Sequence, residues 1–244
     1  MPRLHYIAMS GATARLRELD KLADDLANQT TPGYRAVTYA FSTAIDEETL
    51  GRKSTQKTSP VRQVLPVETS VIAQDGPAIQ TGRPLDVRPT EGTWIAVQQA
   101  DGKTAYTRDG RINVGIDGQL RIGAHKVLGQ SGEVLSTDPG TIPFIDQRGR
   151  VFSGGREVGR IGLHVLKGDL ERFGPSQVAP RKGGEAQLVD ATVTVGSIEG
   201  SNANGLDATI SMISAQRSYE QSLQALQTVQ KLDEKANELG RPRG

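Results

Sequence analysis

The chain has 244 residues, of which 36% are hydrophobic and 4% aromatic, a composition that suits a modest core beneath a large polar surface. Its 29 Lys and Arg residues balance 28 Asp and Glu residues to a net charge of +1, which argues against a sequence-independent nucleic-acid binder, because such proteins carry a basic excess. The absence of cysteine excludes disulfides, thiolate metal sites and cysteine nucleophiles.

An amphipathic helix is predicted near the beginning of the chain, over residues 3–28. Apolar side chains recur there at alternating intervals of three and four residues, which is the a/d pattern of a helix that packs along another helix. Pro32 and Gly33 end the pattern, because proline cannot continue a helix and glycine permits a turn. The a/d seam consists of Met9, Ala12, Leu16, Leu19, Ala23 and Leu26.

The following segment, residues 34–76, is polar and reads as a linker or extended segment. Residues 49–58 are typical of a flexible loop. Residues 61–67 favour a short extended stretch, which Pro66 restricts to a sheet edge or a linker because proline donates no ladder hydrogen bond.

Residues 77–200 change character, because Gly and Pro recur every few positions between short β-rich runs. Asp109-Gly110 and Asp117-Gly118 are pairs typical of hairpin turns. Many short strands with close turns favour an antiparallel β domain of barrel or sandwich type. The predicted strands cover residues 94–97, 105–107, 111–114, 120–122, 134–135, 160–166 and 191–195.

A second long helix is predicted within residues 201–244, because no Gly or Pro interrupts residues 206–239. Asn204 is a good N-cap, and Asp207 places an acid in the first turn. One apolar stripe marks the later part of this helix. It consists of Leu223, Leu226, Val229, Leu232, Ala236 and Leu239.

The predicted fold class is α+β, with two long terminal helices and an antiparallel β-rich central domain. The predicted divisions are 1–33, 34–76, 77–200 and 201–244. Most helical stability comes from packing an apolar face, so the apolar stripe of each terminal helix needs a surface to pack against. The two helices either pair with each other or with neighbouring copies as a coiled-coil-like layer, or pack on the β domain of a compact monomer; the residues alone leave both open.

The chain contains no dinucleotide-binding or P-loop motif. His5, His125 and His164 are isolated from each other and from acids at metal-ligand spacing. No apolar run suits a secretory signal or a membrane-spanning helix, so no membrane insertion is predicted. We therefore predict no catalytic, cofactor or metal site, although two carboxylates distant in sequence would leave no local motif.

Several stretches resemble flagellar rod and hook proteins, in order along almost the whole chain. Residues 4–12 and Leu26-Ala-Asn-Gln-Thr-Thr-Pro-Gly-Tyr34 are similar to the family's N-terminal signature. Residues 80–87, 94–97 and 106–110 resemble its β-domain motifs, and residues 199–204 and 212–220 resemble the start of its C-terminal helix. The motif positions are Asn28, Gly33, Gly82, Pro84, Asp86, Asn202 and Asn204.

The resemblance implies a non-catalytic structural subunit of the basal-body rod, which crosses the periplasm and transmits torque. It implies export through the flagellar type III apparatus, and partners among the other rod proteins and copies of the same chain. The opening and the short length favour a proximal rod subunit over a distal one. We place the main assembly contacts on Leu16, Leu19, Leu26, Leu223, Leu226, Val229 and Leu232. A cell-wall-acting enzyme and a soluble adaptor are the alternatives.

Overall fold

The computed structural model describes residues 2–45, 62–72, 74–138 and 140–239. Helix α1 covers Pro2–Ala27 and helix α2 covers Gly205–Leu239, close to the predicted bounds. The predicted loop at 49–58 lies outside the described residues. The strands are β1 Val37–Ile45, β2 Arg62–Val71, β3 Ala78–Gln80, β4 Val87–Pro89, β5 Thr93–Gln98, β6 Thr104–Thr107, β7 Ile112–Val114, β8 Leu120–Ile122, β9 His125–Val127, β10 Phe144–Ile145, β11 Arg150–Ser153, β12 Arg156–Arg160, β13 Leu163–Lys167, β14 Leu170–Arg172, β15 Gln177–Pro180, β16 Glu185–Leu188, β17 Val193–Val195 and β18 Ser197–Glu199.

The chain divides into two compact units. The first holds α1, α2 and most of the two-stranded β1–β2 sheet. The second, which we call the β body, consists of residues 27–38 and 70–204. Helices and antiparallel sheet together make this an α+β fold, as predicted from the sequence. Pairing of the two helices and the four-part domain division stay predictions.

The β body is built on a nine-stranded sheet with the main order β14-β15-β6-β5-β9-β8-β7, in which β13 also pairs with β5 and β16. Strand β5 is central and buried on both sides. Its Ile95 and Val97 belong to one core cluster, whereas Trp94 and Ala96 belong to another. Because successive strand residues point to opposite faces, the two clusters lie on opposite sides of the sheet.

Three smaller sheets complete the β body. Strands β10, β11 and β12 form a three-stranded antiparallel sheet, and β17 pairs with β4 and β18 with β3. Ile145 and Val151 of the three-stranded sheet belong to the same core cluster as Ile95. The three-stranded sheet therefore covers that side of the larger one.

Most predicted strands are confirmed, with small shifts at their ends. The prediction at 134–135 is wrong, since Val134 makes only an isolated bridge to Leu128. The predicted run 160–166 divides into β12 and β13, because Ile161 and Gly162 leave one sheet before Leu163 joins the other.

The two predicted hairpin turns have different outcomes. Asp117-Gly118 connects the antiparallel strands β7 and β8, and Gly118 has a φ of 77°. Asp109-Gly110 does not form a hairpin, because β6 pairs with β5 and β15 rather than with β7. Gly110 serves a close backbone approach instead, since a Cβ there would lie 1.5 Å from the carbonyl oxygen of Val87.

The predicted seam of α1 is largely open. Leu16 is 46% exposed, and Met9 and Ala23, one heptad to either side, are exposed as well. Leu19 and Leu26 are half-buried. Positions seven apart lie on one line of a helix, so α1 presents an uncovered apolar line.

Ala12 of the seam is buried, and the other buried residues of α1 lie on a different face. Ala14, Leu22 and Asp25 are buried. About two turns and then one turn separate them, which places them on one side of the helix. The Nζ atom of Lys21 lies 3.3 Å from Oδ2 of Asp25 on the same helix.

Helix α2 also separates a covered face from an open one. Ala208 and Ala215 are buried, whereas Ile210, Ile213 and Leu232 are exposed. Of the predicted stripe, Leu223 is exposed, and Leu226 and Val229 are half-buried. The less exposed face follows steps of four and three residues through Ala208, Met212, Ala215, Tyr219, Ser222, Leu226 and Val229.

Neither described helix has a stretch long and apolar enough to cross a membrane.

Candidate functional site

Three backbone segments of the β body meet at one place, which we call the junction. They are residues 28–36 after α1, residues 72 and 74–76 after β2, and residues 199–202 before α2. The amide of Gly33 donates to the carbonyl of Glu199 at 2.9 Å, and the amide of Ile72 donates to the carbonyl of Ala36 at 2.9 Å. The backbone that follows the first helix is thus bonded to the backbone that precedes the second.

Asn202, a predicted motif residue, ties all three segments through one side chain. Its Oδ1 accepts from the amide of Ala36 at 2.7 Å, and its Nδ2 donates to the carbonyl of Gln74 at 3.0 Å. Its own amide donates to the carbonyl of Tyr34 at 3.2 Å. A side-chain amide is needed here, because it combines an acceptor with donors.

The turn after α1 uses two further motif residues. The carbonyl of Asn28 accepts from the amide of Thr31 at 3.0 Å, and its Oδ1 accepts from Oγ1 of Thr31 at 3.1 Å. Gly33 has a φ of 68°, and a Cβ there would lie 2.1 Å from the amide nitrogen of Asp109. Glycine is therefore required both for its backbone conformation and for space.

A buried ionic network holds the junction together. Arg108 and Glu199 are fully buried, and Arg35 is almost so. Nε of Arg108 donates to Oε2 of Glu199 at 2.7 Å, and its Nη2 lies 2.8 Å from Oδ2 of Asp75. Nη2 of Arg35 lies 2.7 Å from Oε1 of Glu199, and Arg35 also pairs with Oδ1 of Asp75. Each arginine thus bridges both acids.

The rest of the network is completed by backbone and an aromatic ring. The amide of Gly76 donates to Oε1 of Glu199 at 3.1 Å. Nη1 of Arg108 donates to the carbonyl of Thr90 at 2.8 Å. The guanidinium of Arg35 lies 5.7 Å from the ring centroid of Trp94, within cation–π range. Two cations and two anions balance, which is the condition for burying charges at tolerable cost.

Tyr34 secures the first segment from another side. Its side chain is fully buried, and its hydroxyl accepts from Nη1 of Arg172 at 2.8 Å. The Arg172 guanidinium also lies 5.2 Å from the centroid of the Tyr34 ring. This contact joins the junction to β14 at one edge of the nine-stranded sheet.

Gly82 and Asp86 form a second cluster, around Gly196. The amide of Gly82 donates to the carbonyl of Gly196 at 3.0 Å, and the amide of Gly196 donates to the carbonyl of Asp86 at 2.8 Å. Asp86 is buried next to Arg111, whose pKa is raised by its hydrogen bond to Asp109 and further by the charge of Asp86. This cluster fixes the course of the chain into β4.

The structure therefore separates the predicted motif residues into groups. Asn28, Gly33 and Asn202 lie in the junction, whereas Gly82 and Asp86 lie in the second cluster. Pro84 and Asn204 are exposed.

The sequence patterns assigned no role to the four charged residues of the network. Arg108 and Glu199 lie inside the motif stretches 106–110 and 199–204. Arg108 directly follows the predicted strand 105–107, whereas Glu199 comes four positions after the predicted strand 191–195. Their pairing is not readable from spacing, because Arg108 and Glu199 are 91 positions apart.

The charged groups of the junction bind one another within the same chain. All four carboxylate oxygens of Asp75 and Glu199 contact an arginine of the network. Within the described parts of the chain, no group of three or more His, Cys, Asp and Glu residues has a metal-binding arrangement. The site is a rigid connection between three segments.

Known proteins share the last junction segment and the helix α2 that follows it. A family model described as the C-terminal part of the flagellar basal-body rod FlgEFG proteins matches residues 194–239, which include the last junction segment and α2. The rod protein FlgF of Escherichia coli strain K12 is 33% identical over 251 residues, covering 96% of both chains. The chain belongs to the FlgF family of flagellar basal-body rod proteins. The predicted family is confirmed, and the chain is a structural protein of the flagellar basal body.

Other FlgF and FlgG proteins are also similar to the chain. FlgF of Salmonella typhimurium strain LT2 is 31% identical, covering 96% of both chains. FlgG of Agrobacterium fabrum is 26% identical over 93% of this chain and 95% of its own length. The FlgF proteins of Escherichia coli and Salmonella typhimurium are thus more similar to the chain than this FlgG protein is.

Proposed function

We propose that this chain is a non-catalytic subunit of the proximal rod that joins copies of itself and other rod proteins through its terminal helices. The observation that carries the proposal is the uncovered apolar surface on both helices, at Leu16 of α1 and at Ile210, Ile213 and Leu232 of α2. Membership of a rod family supplies the context in which these surfaces become covered.

The physical driving force is burial of that surface. Each Å² of apolar area removed from water contributes about 25 cal/mol, so a covered leucine contributes about 2 kcal/mol. Leu19 and Leu26 of α1 are half-buried, as are Leu226 and Val229 on the less exposed face of α2, and we expect assembly to cover them further. Pairing of α1 with α2, within a subunit or between neighbours, gives the coiled-coil-like layer that the seams favour.

In this proposal the junction transmits torque from the terminal helices to the β body. A torque applied to the helices reaches the β body through residues 33–36 and 199–202, which the ionic network and Asn202 hold to each other. Buried charge pairs resist displacement, because separating them leaves unpaired charges in a nonpolar surrounding. The subunit thereby acts as a stiff element of a drive shaft.

Burial and ordering of the helices form one coupled event on assembly. Amide hydrogen exchange on the isolated chain and on assembled rods tests this. We expect much stronger protection of residues 3–28 in the rod. Equal protection in both states would refute the coupling.

Leu223→Asp is the decisive variant, because it replaces an exposed leucine of the predicted stripe of α2 by a charge. We expect it to block incorporation into isolated basal bodies while the β body keeps its unfolding transition. Gln187→Asp, at an exposed position of β16 outside both helices, is the control and should be incorporated normally. A Leu223→Asp chain found in basal bodies at the control level would refute the proposal.

The finer elements of the proposal follow from the family. We propose that the chain passes the type III export apparatus before assembly and carries no catalytic activity. Purified protein is therefore expected to leave cell-wall polymer intact, and hydrolysis would contradict the non-catalytic role.

A further inference from the structure

The β14–β15 hairpin reaches the junction through a side chain of β14. Nη1 of Arg172 donates to the Tyr34 hydroxyl at 2.8 Å, and the Arg172 guanidinium lies 5.2 Å from the centroid of the Tyr34 ring. Arg172 is half-buried and the Tyr34 side chain is fully buried, so the ring is held by a charge-assisted hydrogen bond and by a cation–π contact. Because Tyr34 directly precedes Arg35, this contact fixes the backbone from which Arg35 enters the ionic network.

The same hairpin reaches the other arginine of the network through the backbone of β15. Gln177 pairs with Thr107 of β6, and Val178 pairs with Tyr106. Thr107 is fully buried and directly precedes Arg108. The two strands of one hairpin therefore contact the residues that come immediately before the two arginines of the network.

The hairpin and the network meet over one face of the nine-stranded sheet. Val178 is the cross-strand partner of both Arg172 and Tyr106, and partners in register share a face. Tyr106 and Val178 belong to the core cluster of Trp94. The guanidinium of Arg35 lies 5.7 Å from the centroid of the Trp94 ring. Arg172 and Arg35 are thus directed to the same side of the sheet.

The backbone attaches this hairpin to the sheet by a short ladder. Strand β14 is the end strand of the main order, and β15 pairs with β6 through two residue pairs. A two-stranded hairpin is marginally stable by itself, so its side-chain contacts decide how firmly it is held. Buried Val178 and half-buried Leu170 supply the apolar contacts, and Arg172 supplies the polar one.

We propose that the β14–β15 hairpin is a strap that positions both arginines of the network, with Arg172 as its positioning residue. The two arginines each bridge Asp75 and Glu199. Such hydrogen bonds weaken steeply when their distance or angle changes, so a loosened strap reduces what both acids contribute to stability. The strap acts within the folded chain, and its value for transmitting torque rests on the proposed function.

A double-mutant cycle on the full-length chain tests the strap. Arg172→Met removes the donor and the charge but keeps an apolar stem, and Asp75→Asn removes the charge of the less buried acid of the network. In the natural chain, Asp75→Asn should raise the unfolding equilibrium constant by about tenfold or more. In the Arg172→Met chain the same change should raise it by about threefold or less, because the arginines are already displaced. Urea unfolding measures each protein of the cycle.

Glu171→Gln provides the matched control background, because Glu171 is the exposed neighbour of Arg172 and points to the other face of the strand. There the effect of Asp75→Asn should agree with that in the natural chain within about twofold, as for independent sites. Arg172→Lys should restore part of the coupling, since lysine can donate to the hydroxyl but lacks the planar group that stacks on the ring. An equal effect of Asp75→Asn in the natural and the Arg172→Met chains would overturn the strap.

Amide hydrogen exchange separates positioning of the junction from a general loss of stability. The amides of Gly33 and Gly76 donate to Glu199 in the junction, whereas the amide of Ala96 belongs to the central strand β5. Arg172→Met should accelerate exchange at the two junction amides about tenfold more than at Ala96. Equal acceleration at all three amides would show a global effect only and would also overturn the strap.

The outcomes keep the strap and the proposed function apart. If Arg172→Met does not fold, Tyr34→Phe, which removes only the hydroxyl that Arg172 binds, replaces it in both experiments. Both experiments use the isolated chain, so a negative result overturns the strap and leaves the rod function standing. If the natural chain is not incorporated into basal bodies, the proposed function fails and the strap stands.

Discussion

The junction and the terminal helices handle their interactions in opposite ways. At the junction, Arg108 and Glu199 are fully buried and partnered within the chain. On the helices, leucines such as Leu16 and Leu232 remain exposed. An unpaired buried charge is too costly to wait for a neighbouring subunit, whereas an exposed leucine costs little and contributes on association. Polar contacts are thus completed during folding and apolar ones are left for assembly.

Removing a charge from the junction is expected to have the largest effect on stability. Glu199→Ala leaves Arg35 and Arg108 facing each other without their shared carboxylate, and we expect the free energy of unfolding to fall by about 3–5 kcal/mol. Urea unfolding of the purified chain measures it. Glu185→Ala, at an exposed position of β16, is the matched control and should change stability by less than about 0.5 kcal/mol. A similar small loss for both variants would show that the network is not needed.

The second-largest loss of stability is expected from adding a methyl group at the junction. Gly33→Ala adds a Cβ 2.1 Å from the amide nitrogen of Asp109 at a φ of 68°. Gly123→Ala meets nothing within 4 Å at a φ of 59°, so it isolates the backbone cost. We expect about 1–2 kcal/mol for Gly123→Ala and a larger loss for Gly33→Ala, measured by thermal or urea unfolding. Equal losses would mean that the junction yields to the added methyl group.

The pH dependence of stability offers a smaller and subtler test of the β body. Burial lowers the pKa of His164 below its ordinary value of 6.5, against a backbone hydrogen bond that raises it. The folded chain then binds fewer protons than the unfolded chain just below that value, so stability decreases as the pH falls through about 6.5. His164→Gln should flatten the unfolding free energy between about pH 7 and 5. Parallel curves for the two proteins would contradict this.

The smallest effect on the isolated chain is expected on the open seam of α1. Leu16→Ala should change the unfolding free energy by less than about 0.5 kcal/mol, since the side chain is exposed, and yet reduce incorporation into basal bodies. Leu120→Ala, at a fully buried position of the β body, should destabilise the isolated chain by about 2 kcal/mol or more. If Leu16→Ala destabilised the isolated chain as much as Leu120→Ala, the seam would already be covered before assembly.

The sequence was informative where the signal is local. Uninterrupted periodicity predicted both helices to within a residue or two, and the short β-rich run at 94–97 predicted the central strand. Local spacing misled where tertiary contacts decide: Asp109-Gly110 looks like a hairpin turn, but Gly110 is there to let Val87 approach. The ionic network could not be predicted from the sequence, because no residue near Arg35 in the chain identifies Glu199 as its partner.

The bond between Ala36 and Asn202 joins positions 166 residues apart. Closing so large a loop is entropically costly, and contacts of this span make folding slow. Residues 199–202 are made near the end of synthesis, so we expect the junction to close only after most of the chain has been made. An open junction until that point would suit the passage through the export apparatus that we propose.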